Sequence, residues 1–269
     1  MFASTHSAHF LMGCVDSGAG LNIVRLTYQA GRPTARLLPH DRLVPLMRDP
    51  LMRSTGVLGA LFATAAIVCE ADRDRAFYEE INTRLAAAGR AAVEDAVFMN
   101  AQNKSTVRRI VRPLREMGVP AAAVVDLDIL KVDDLKALLD DCFVPAALSN
   151  GMTATKGQLG AAYRAAGVDM KQVGLAGLDT TNREAGDGLL KQLREYGIFA
   201  VSIGEVERWL SHLGVTGDKS SWLARMFERL GSQPESTEYV KPGAGDVWEF
   251  VESMQAWVGN PDRKGMPAE

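Results

Sequence analysis

Cysteine is scarce. The three present, Cys14, Cys69 and Cys142, lie far apart with no CxxC pair among them. That rules out a disulfide framework or a zinc ribbon and reads as reduced, mostly buried thiols of a cytoplasmic protein. Histidine is thin as well: His9, His40 and His212 have no partner at ligand spacing, so they read as packing or solvent-facing residues. Charge of one sign is also missing. A formal net charge of −3 excludes a globally basic nucleic-acid binder, although a local basic stripe can hide behind an offsetting group of carboxylates. No apolar run reaches the length of a membrane span, and the N-terminus lacks the charged start and apolar core of a signal peptide. There is no GxxxxGK[ST] phosphate loop, so this sequence cannot cradle a triphosphate by that route. Gly18-Ala19-Gly20 and Pro242-Gly243-Ala244-Gly245 read as turns instead. No repeat or low-complexity segment is visible. The remainder is ordinary globular composition, 47% hydrophobic and 23% charged over 269 residues, enough for one large domain or two modest ones.

Along the chain, Leu21–Tyr28 and Thr34–Leu38 read as strands around a Gln29-Ala30-Gly31-Arg32 turn. A lone hairpin is marginal in water, so it is expected to pack on something else, such as a helix over Asp41–Leu61. From about residue 62, strand and helix alternate. Strand 64–69 is followed by a helix Asp72–Ala88, with Phe77, Ile81 and Leu85 on one face and Gly89 as its stop. Strand 93–99 precedes a helix Ser105–Met117, closed by Gly118-Val119-Pro120, and strand 121–126 comes next. This order predicts a parallel sheet with right-handed crossovers. Residues 133–195 carry only helical patterns, over Asp133–Cys142, Thr155–Ala166 and Asn182–Tyr196. A fourth strand, 198–203, then follows, with closing helices at 219–230 and 246–258. Gly259–Glu269 reads as a frayed tail. The expected architecture is α/β, a Rossmann-like parallel sheet with a helical subdomain inserted between its third and fourth strands.

Two acidic clusters stand out. Glu70-Ala71-Asp72-Arg73-Asp74 follows the buried run Ala65–Cys69, and Asp126-Leu127-Asp128 follows Ala121–Val125. Charge beside an apolar core has to be paired or metal-bound, and ligands of open α/β sheets sit beyond the carboxyl ends of the strands. Asp72 reads as the N-cap of its helix, with Asp74 in the first turn, where negative charge suits the helix dipole. An acidic helix start would account for that cluster alone. Asp126 and Asp128, two apart on extended chain, share a face. Taken together, the clusters predict a divalent-cation site of Glu70, Asp74, Asp126 and Asp128, suited to phosphoryl transfer by two Mg²⁺ or Mn²⁺ ions. Without its metal such a group repels itself, and some members titrate upward.

Further residues enter with alternatives beside them. Glu205 and Glu207 follow the fourth strand, and Glu205 is expected to join the metal cluster, with a solvated acidic turn as the other reading. Lys241, in the Tyr239-Val240-Lys241-Pro242-Gly243 loop, is read as a counter-charge to a scissile phosphate, or else as a surface lysine. Lys104, Arg108, Arg109 and Arg112 form a basic helix face fit for DNA phosphates, or an ordinary solvated helix. Trp209, Trp222, Trp248 and Trp257 read as core.

Glu70-x-x-x-Asp74 at a strand–helix junction, then Asp126-x-Asp128, resembles the Toprim domain of primases, topoisomerases and certain nucleases. With Asn100-Ala101-Gln102-Asn103-Lys104 and Gly204-Glu205-Val206-Glu207-Arg208-Trp209-Leu210, the chain is similar to the C-terminal region of the overcoming-lysogenization-defect (OLD) nucleases. These join an N-terminal ABC-type ATPase to a Toprim nuclease. Ser4-Thr5-His6-Ser7 resembles the switch-histidine segment that ends such an ATPase. The resemblance implies a fragment with an ATPase remnant and linker over 1–55, the first part of the Toprim domain over 56–132, a helical insertion over 133–196 and Toprim completion over 197–269. It also implies a metal-dependent DNA endonuclease that works without ATP as a fragment, partnered by its own missing ATPase, through which it would oligomerise. Two other readings stand beside it. One is a haloacid-dehalogenase-type phosphatase with Asp126 as nucleophile and Asp128 as acid/base, against which Ile129-Leu130 stand where a small hydroxyl residue belongs and Glu70 has no role. The other is a catalytically silent DNA-binding or oligomerisation module.

Overall fold

The fold follows from the alternation just described, as seen in a computed structural model that describes residues 2–18, 20–29, 31–54, 56–131 and 134–267. Ala19, Ala30, Asp133 and the last two residues, which figure in the turns, helix start and tail read from the sequence, lie outside the described residues. Helix α1 (Ala8–Asp16) leads into an antiparallel hairpin of β1 (Ile23–Gln29) and β2 (Arg32–Leu38). Three short helices follow: α2 (His40–Arg48), α3 (Pro50–Ser54) and α4 (Val57–Ala60). Next come β3 (Ala65–Cys69), α5 (Asp72–Ala87), β4 (Ala96–Asn100), α6 (Lys104–Glu116) and β5 (Ala121–Asp126). Helices α7 (Asp134–Asp141), α8 (Ala146–Ala166), α9 (Met170–Val173) and α10 (Thr180–Glu195) separate β5 from β6 (Ile198–Val201), and the described residues between those strands contain no strand. Helices α11 (Trp222–Leu230) and α12 (Asp246–Gly259) complete the order.

The four strands β3 to β6 form one parallel sheet in the order β4-β3-β5-β6. Its central strands are buried on both faces, and period-two alternation divides their side chains between two cores. Ala66, Val68, Ala121, Ala123, Val125, Ile198 and Ala200 face the layer that includes α6, α8 and α10. Ile67, Cys69, Ala122, Val124, Phe199 and Val201 face α5, α11 and α12. Alanine dominates the strand interiors, so helices can approach the sheet closely and supply the bulk themselves. On one side that bulk is Phe77, Trp222 and Phe250, with the Phe77 and Trp222 rings in edge contact at 5.2 Å.

Guanidinium groups fasten the periphery. Arg25 of β1 donates to the carbonyls of Leu61, Gly118 and Ala63, at 2.8 to 2.9 Å, so the hairpin is held to the segments that lead into β3 and β5 rather than to a single helix. Arg115 is fully buried. It donates to the carbonyls of Ala121, Cys142, Tyr196, Gly197 and Gly265, and stacks over Trp257. A buried cation with no carboxylate is tolerable because backbone acceptors surround it.

The structure departs from the sequence reading at several elements. The segment 41–61 is not one helix: α2 ends at Asp49, whose carboxylate accepts from Leu51 N–H, and left-handed Gly56 opens α4. Strand β4 begins at Ala96 rather than 93, because Val93 exchanges two hydrogen bonds with the Asn82 side chain and Asp95 turns the chain at φ 47°. Helix α8 begins at Ala146, not Thr155, and β6 stops at Val201 before a turn at Gly204. Helix α1, capped by the Ser7 side chain, was not anticipated. The C-terminal segment up to residue 267 is not frayed: Arg263 donates to the Val258 carbonyl, Trp257 to that of Lys264, and Gly265 receives Arg115.

Removing the Arg115 guanidinium strands several buried carbonyls at once. We expect Arg115→Met to lower unfolding free energy by about 3 kcal/mol or more, measured by urea denaturation. A loss below about 1 kcal/mol would show that these carbonyls find other partners.

Candidate metal-binding cleft

The carboxyl ends of β3, β5 and β6 share one edge, and each hands over to an acidic turn. Glu70 directly follows β3, Asp126 is the last residue of β5, and Glu205 and Glu207 follow β6. A cleft of about 400 Å³ opens at this edge, lined in part by Glu70, Asp74, Lys104, Asp126 and Lys171. Its acids are held by backbone and by cations. The Glu70 carboxylate accepts the backbone N–H of Asp126 at 3.0 Å, tying the first acidic strand end to the second. Asp74 accepts the N–H of Ala71 at 3.2 Å and so closes the first turn of α5. Asp72 is therefore not the N-cap; it lies inside the helix and pairs with Arg75. The chain enters a short 3₁₀ turn at Leu127–Leu130, yet Asp126 and Asp128 still reach a common partner. The Lys171 ammonium stands 2.7 Å from Asp126 and 3.3 Å from Asp128. Lys104 pairs with Asp128 from the N-terminus of α6. Glu205, buried, pairs with Lys219 at 2.7 Å, and Arg73 lies 3.1 Å from Glu207.

This burial sets the titration. Desolvation, reinforced by the charge of Asp126, pushes Glu70 up to about 8. The same two causes push Asp74 up to about 7. Burial raises Asp126 too, against the pull of its hydrogen bond to Lys171. For Lys171, burial works against the ammonium, but the bond to Asp126 and the nearby acids hold it above the ordinary lysine range.

Glu70, Asp74, Asp126 and Glu205 are thus brought to one sheet edge, with Asp128 joined to them through Lys171. Cations of the chain stand against these acids, Lys171 on Asp126 and Asp128 and Lys104 on Asp128. Among the described residues, no three acidic, histidine or cysteine side chains stand at metal-ligand spacing. Asp74 Oδ1 and both carboxylate oxygens of Glu207 are buried without a hydrogen bond, answered by the Arg73 charge at 3.4 Å from Asp74 and 3.1 Å from Glu207. Hard carboxylate oxygens of this kind suit Mg²⁺ or Mn²⁺.

Other candidates fall elsewhere. Arg108 and Arg112 do not present a free basic face, since both bind Asp141 of α7, at 2.9 and 3.0 Å. Arg109 lies 3.6 Å from Asp49. Lys241 is exposed and follows Val240, whose carbonyl accepts from Arg84 in the last turn of α5. Asp74 lies in the first turn of that helix, so Lys241 neighbours the other end of α5 and does not line the cleft. Arg73, Lys171 and Lys219 were missed. Arg73 was visible inside the acidic cluster, whereas nothing in the sequence around Lys171 or Lys219 ties either to a strand end.

A parallel sheet with acidic groups at the ends of β3 and β5, an α5 start that carries Asp74 and an Asp126-x-Asp128 turn define a Toprim-class domain. Its particular kind comes from comparison. Residues 61–128 match the family model described as the TOPRIM domain of overcoming lysogenization defect protein-like proteins. That segment runs from Leu61, four residues before β3, through Asp128 and holds Glu70, Asp74, Asp126 and Asp128. Among solved structures, the chain is similar to the C-terminal region of the Xanthomonas campestris pv. campestris OLD protein, with 16% identity and a TM-score of 0.38 over 74% of this chain and 95% of that one. A score that low carries no weight for the site. Comparison with curated proteins gives no match.

The raised carboxyls fix a pH dependence for the metal-free protein. Glu70 and Asp74 hold protons more tightly folded than unfolded, so their contribution to stability is complete below the ordinary carboxyl range. It is lost as pH rises toward about 7 to 8. Melting temperature in EDTA should fall across that window, and Glu70→Gln should flatten the fall. A melting temperature that climbs over the same interval would contradict the burial argument.

Proposed function

We propose that this chain is the nuclease region of a longer ATPase-nuclease, and that it hydrolyses DNA phosphodiesters with two Mg²⁺ or Mn²⁺ ions. The observation that carries the reading is the meeting of two acidic strand ends in the Toprim segment: Glu70, Asp74 and Asp126 line one cleft, and Asp128 shares Lys171 with Asp126. Glu70, Asp74, Asp126 and Asp128 would hold the ions, with Glu205 beside them; the buried Asp74 and Glu207 oxygens that make no hydrogen bond fit such a role. A bound divalent ion supplies Lewis-acid stabilisation for the charge that gathers on phosphate during displacement. The chain's own part is placement. The Glu70 bond to Asp126 N–H fixes two acids relative to each other, and buried β3 and β5 hold both on rigid backbone. Lys104, at the N-terminus of α6 on the cleft wall, supplies positive charge for a phosphate, helped by the helix terminus.

Among the described residues no helix is long and apolar enough to cross a membrane. We take the protein to act on DNA in the cytoplasm, together with an ATPase domain of the same full-length chain.

The test is cleavage of supercoiled plasmid. Nicked or linear product should appear with Mg²⁺ or Mn²⁺ and without ATP, vanish in EDTA, and fall steeply with salt because phosphate contacts carry the affinity. Asp126→Ala should keep its fold by circular dichroism and lose cleavage about 100-fold or more. Full activity in that variant, or none from the wild type with either ion, would sink the proposal.

A further inference from the structure

The cation that sits between Asp126 and Asp128 in this structure is part of the protein. Lys171 Nζ bridges one carboxylate oxygen from each, at 2.7 and 3.3 Å. Lys104, by contrast, touches only Asp128. A divalent ion shared by the same two aspartates would need oxygens at about 2.0 to 2.1 Å, and therefore the space the ammonium fills. Two cations cannot share it without strong repulsion in a partly desolvated cleft.

The backbone of Lys171 is firmly built in, whereas its head group is held through its contacts with Asp126 and Asp128. Gly204, at φ 114°, packs so closely that a Cβ there would lie 2.0 Å from the Lys171 carbonyl oxygen. Beside it, Leu175 N–H donates to Ser202 at 2.8 Å, and Gly174 leaves no room for a Cβ against Ile203. The helices between β5 and β6 are thus clamped to the sheet edge where Lys171 starts. From that fixed point a flexible four-carbon stem carries the ammonium, with the side chain 25% exposed.

We infer that Lys171 is the resident counter-ion of the cleft and exchanges with the divalent ion: the metal enters the Asp126–Asp128 position as the Lys171 ammonium swings out toward solvent. This rests on the metal-dependent reading above and adds a device to it. The helical segment inserted after β5 supplies a tethered cation that neutralises the acids before metal arrives. The same cation is then released at the mouth of the cleft, where a phosphodiester's negative charge would meet it.

Calorimetric titration of the full chain with Mn²⁺, and mass-spectrometric measurement of lysine acetylation with and without Mn²⁺, test the exchange. Lys171→Met should bind Mn²⁺ about fivefold more tightly or better, because a partly exposed ion pair no longer has to be broken. Its metal-free melting temperature should be lower than that of the wild type. Lys136→Met removes the same charge from a surface pair with Asp140 and should leave the affinity within about twofold, which separates contact from net charge. In the wild type, acetylation of Lys171 should rise when Mn²⁺ is added while that of Lys136 stays constant, a readout that needs no variant to fold. If the wild type binds Mn²⁺ but acetylation of Lys171 does not rise, the exchange is overturned and the metal reading stands. If the wild type binds no Mn²⁺, the metal reading falls and the exchange falls with it.

Discussion

The arrangement of this protein turns on one electrostatic constraint: carboxylates sit at the ends of strands that are buried on both faces. Asp126 and Asp74 are almost wholly buried, and desolvation dominates the titration of both. A strand end of that kind is unstable unless something answers the charge. Around it the fold supplies the N–H of Asp126 for Glu70, the N–H of Ala71 for Asp74, and side-chain cations from four separate segments. Those segments, the start of α5, the start of α6, α9 and the chain before α11, are far apart in sequence. Their convergence is what the shared edge of the sheet makes possible.

The chain divides its cations by job. Arg25 and Arg115 spend their donors on backbone carbonyls and act as scaffold pins; Arg84 does the same with the carbonyls of Leu230, Gly231 and Val240 while its Nε pairs with Glu80. The cleft is served mainly by lysines, Lys104, Lys171 and Lys219. The planar guanidinium, with five donors in a fixed fork, suits a rigid cage of acceptors. A compact ammonium on a mobile stem suits a place where partners change.

Much of this was legible in advance, for a physical reason. Ala65–Cys69 and Ala121–Val125 are unbroken apolar runs, and such runs ending in Glu70 or Asp126 announce buried strands with a ligand edge. Helix α5 was equally plain from Phe77, Ile81 and Leu85. What could not be read depended on contacts distant in sequence. The start of β4 is delayed because the Asn82 side chain claims the backbone of Val93. Arg108 and Arg112 looked available for phosphate because Asp141, their partner, lies about thirty residues away, on another helix. Lys171 carries no local mark at all; only the folded insertion, clamped at Gly174 and Gly204, brings it to Asp126.

The cage around Arg115 bears on the order in which the molecule can assemble. One side chain collects acceptors from residues 121, 142, 196, 197 and 265. During synthesis the guanidinium emerges long before the last of these. Until residue 265 has left the ribosome, its site is short of a ligand and open on the side that Trp257 later covers. Strands β3 to β5 can pair early, with β3 between the other two, but the Arg115 cage that ties α6 to the chain after α12 cannot close then. Vectorial folding would therefore pause at an almost finished sheet with a buried charge still exposed. The Arg115 cage closes only once the segment around residue 265 has been made, which couples the packing of α6 to chain 150 residues further on.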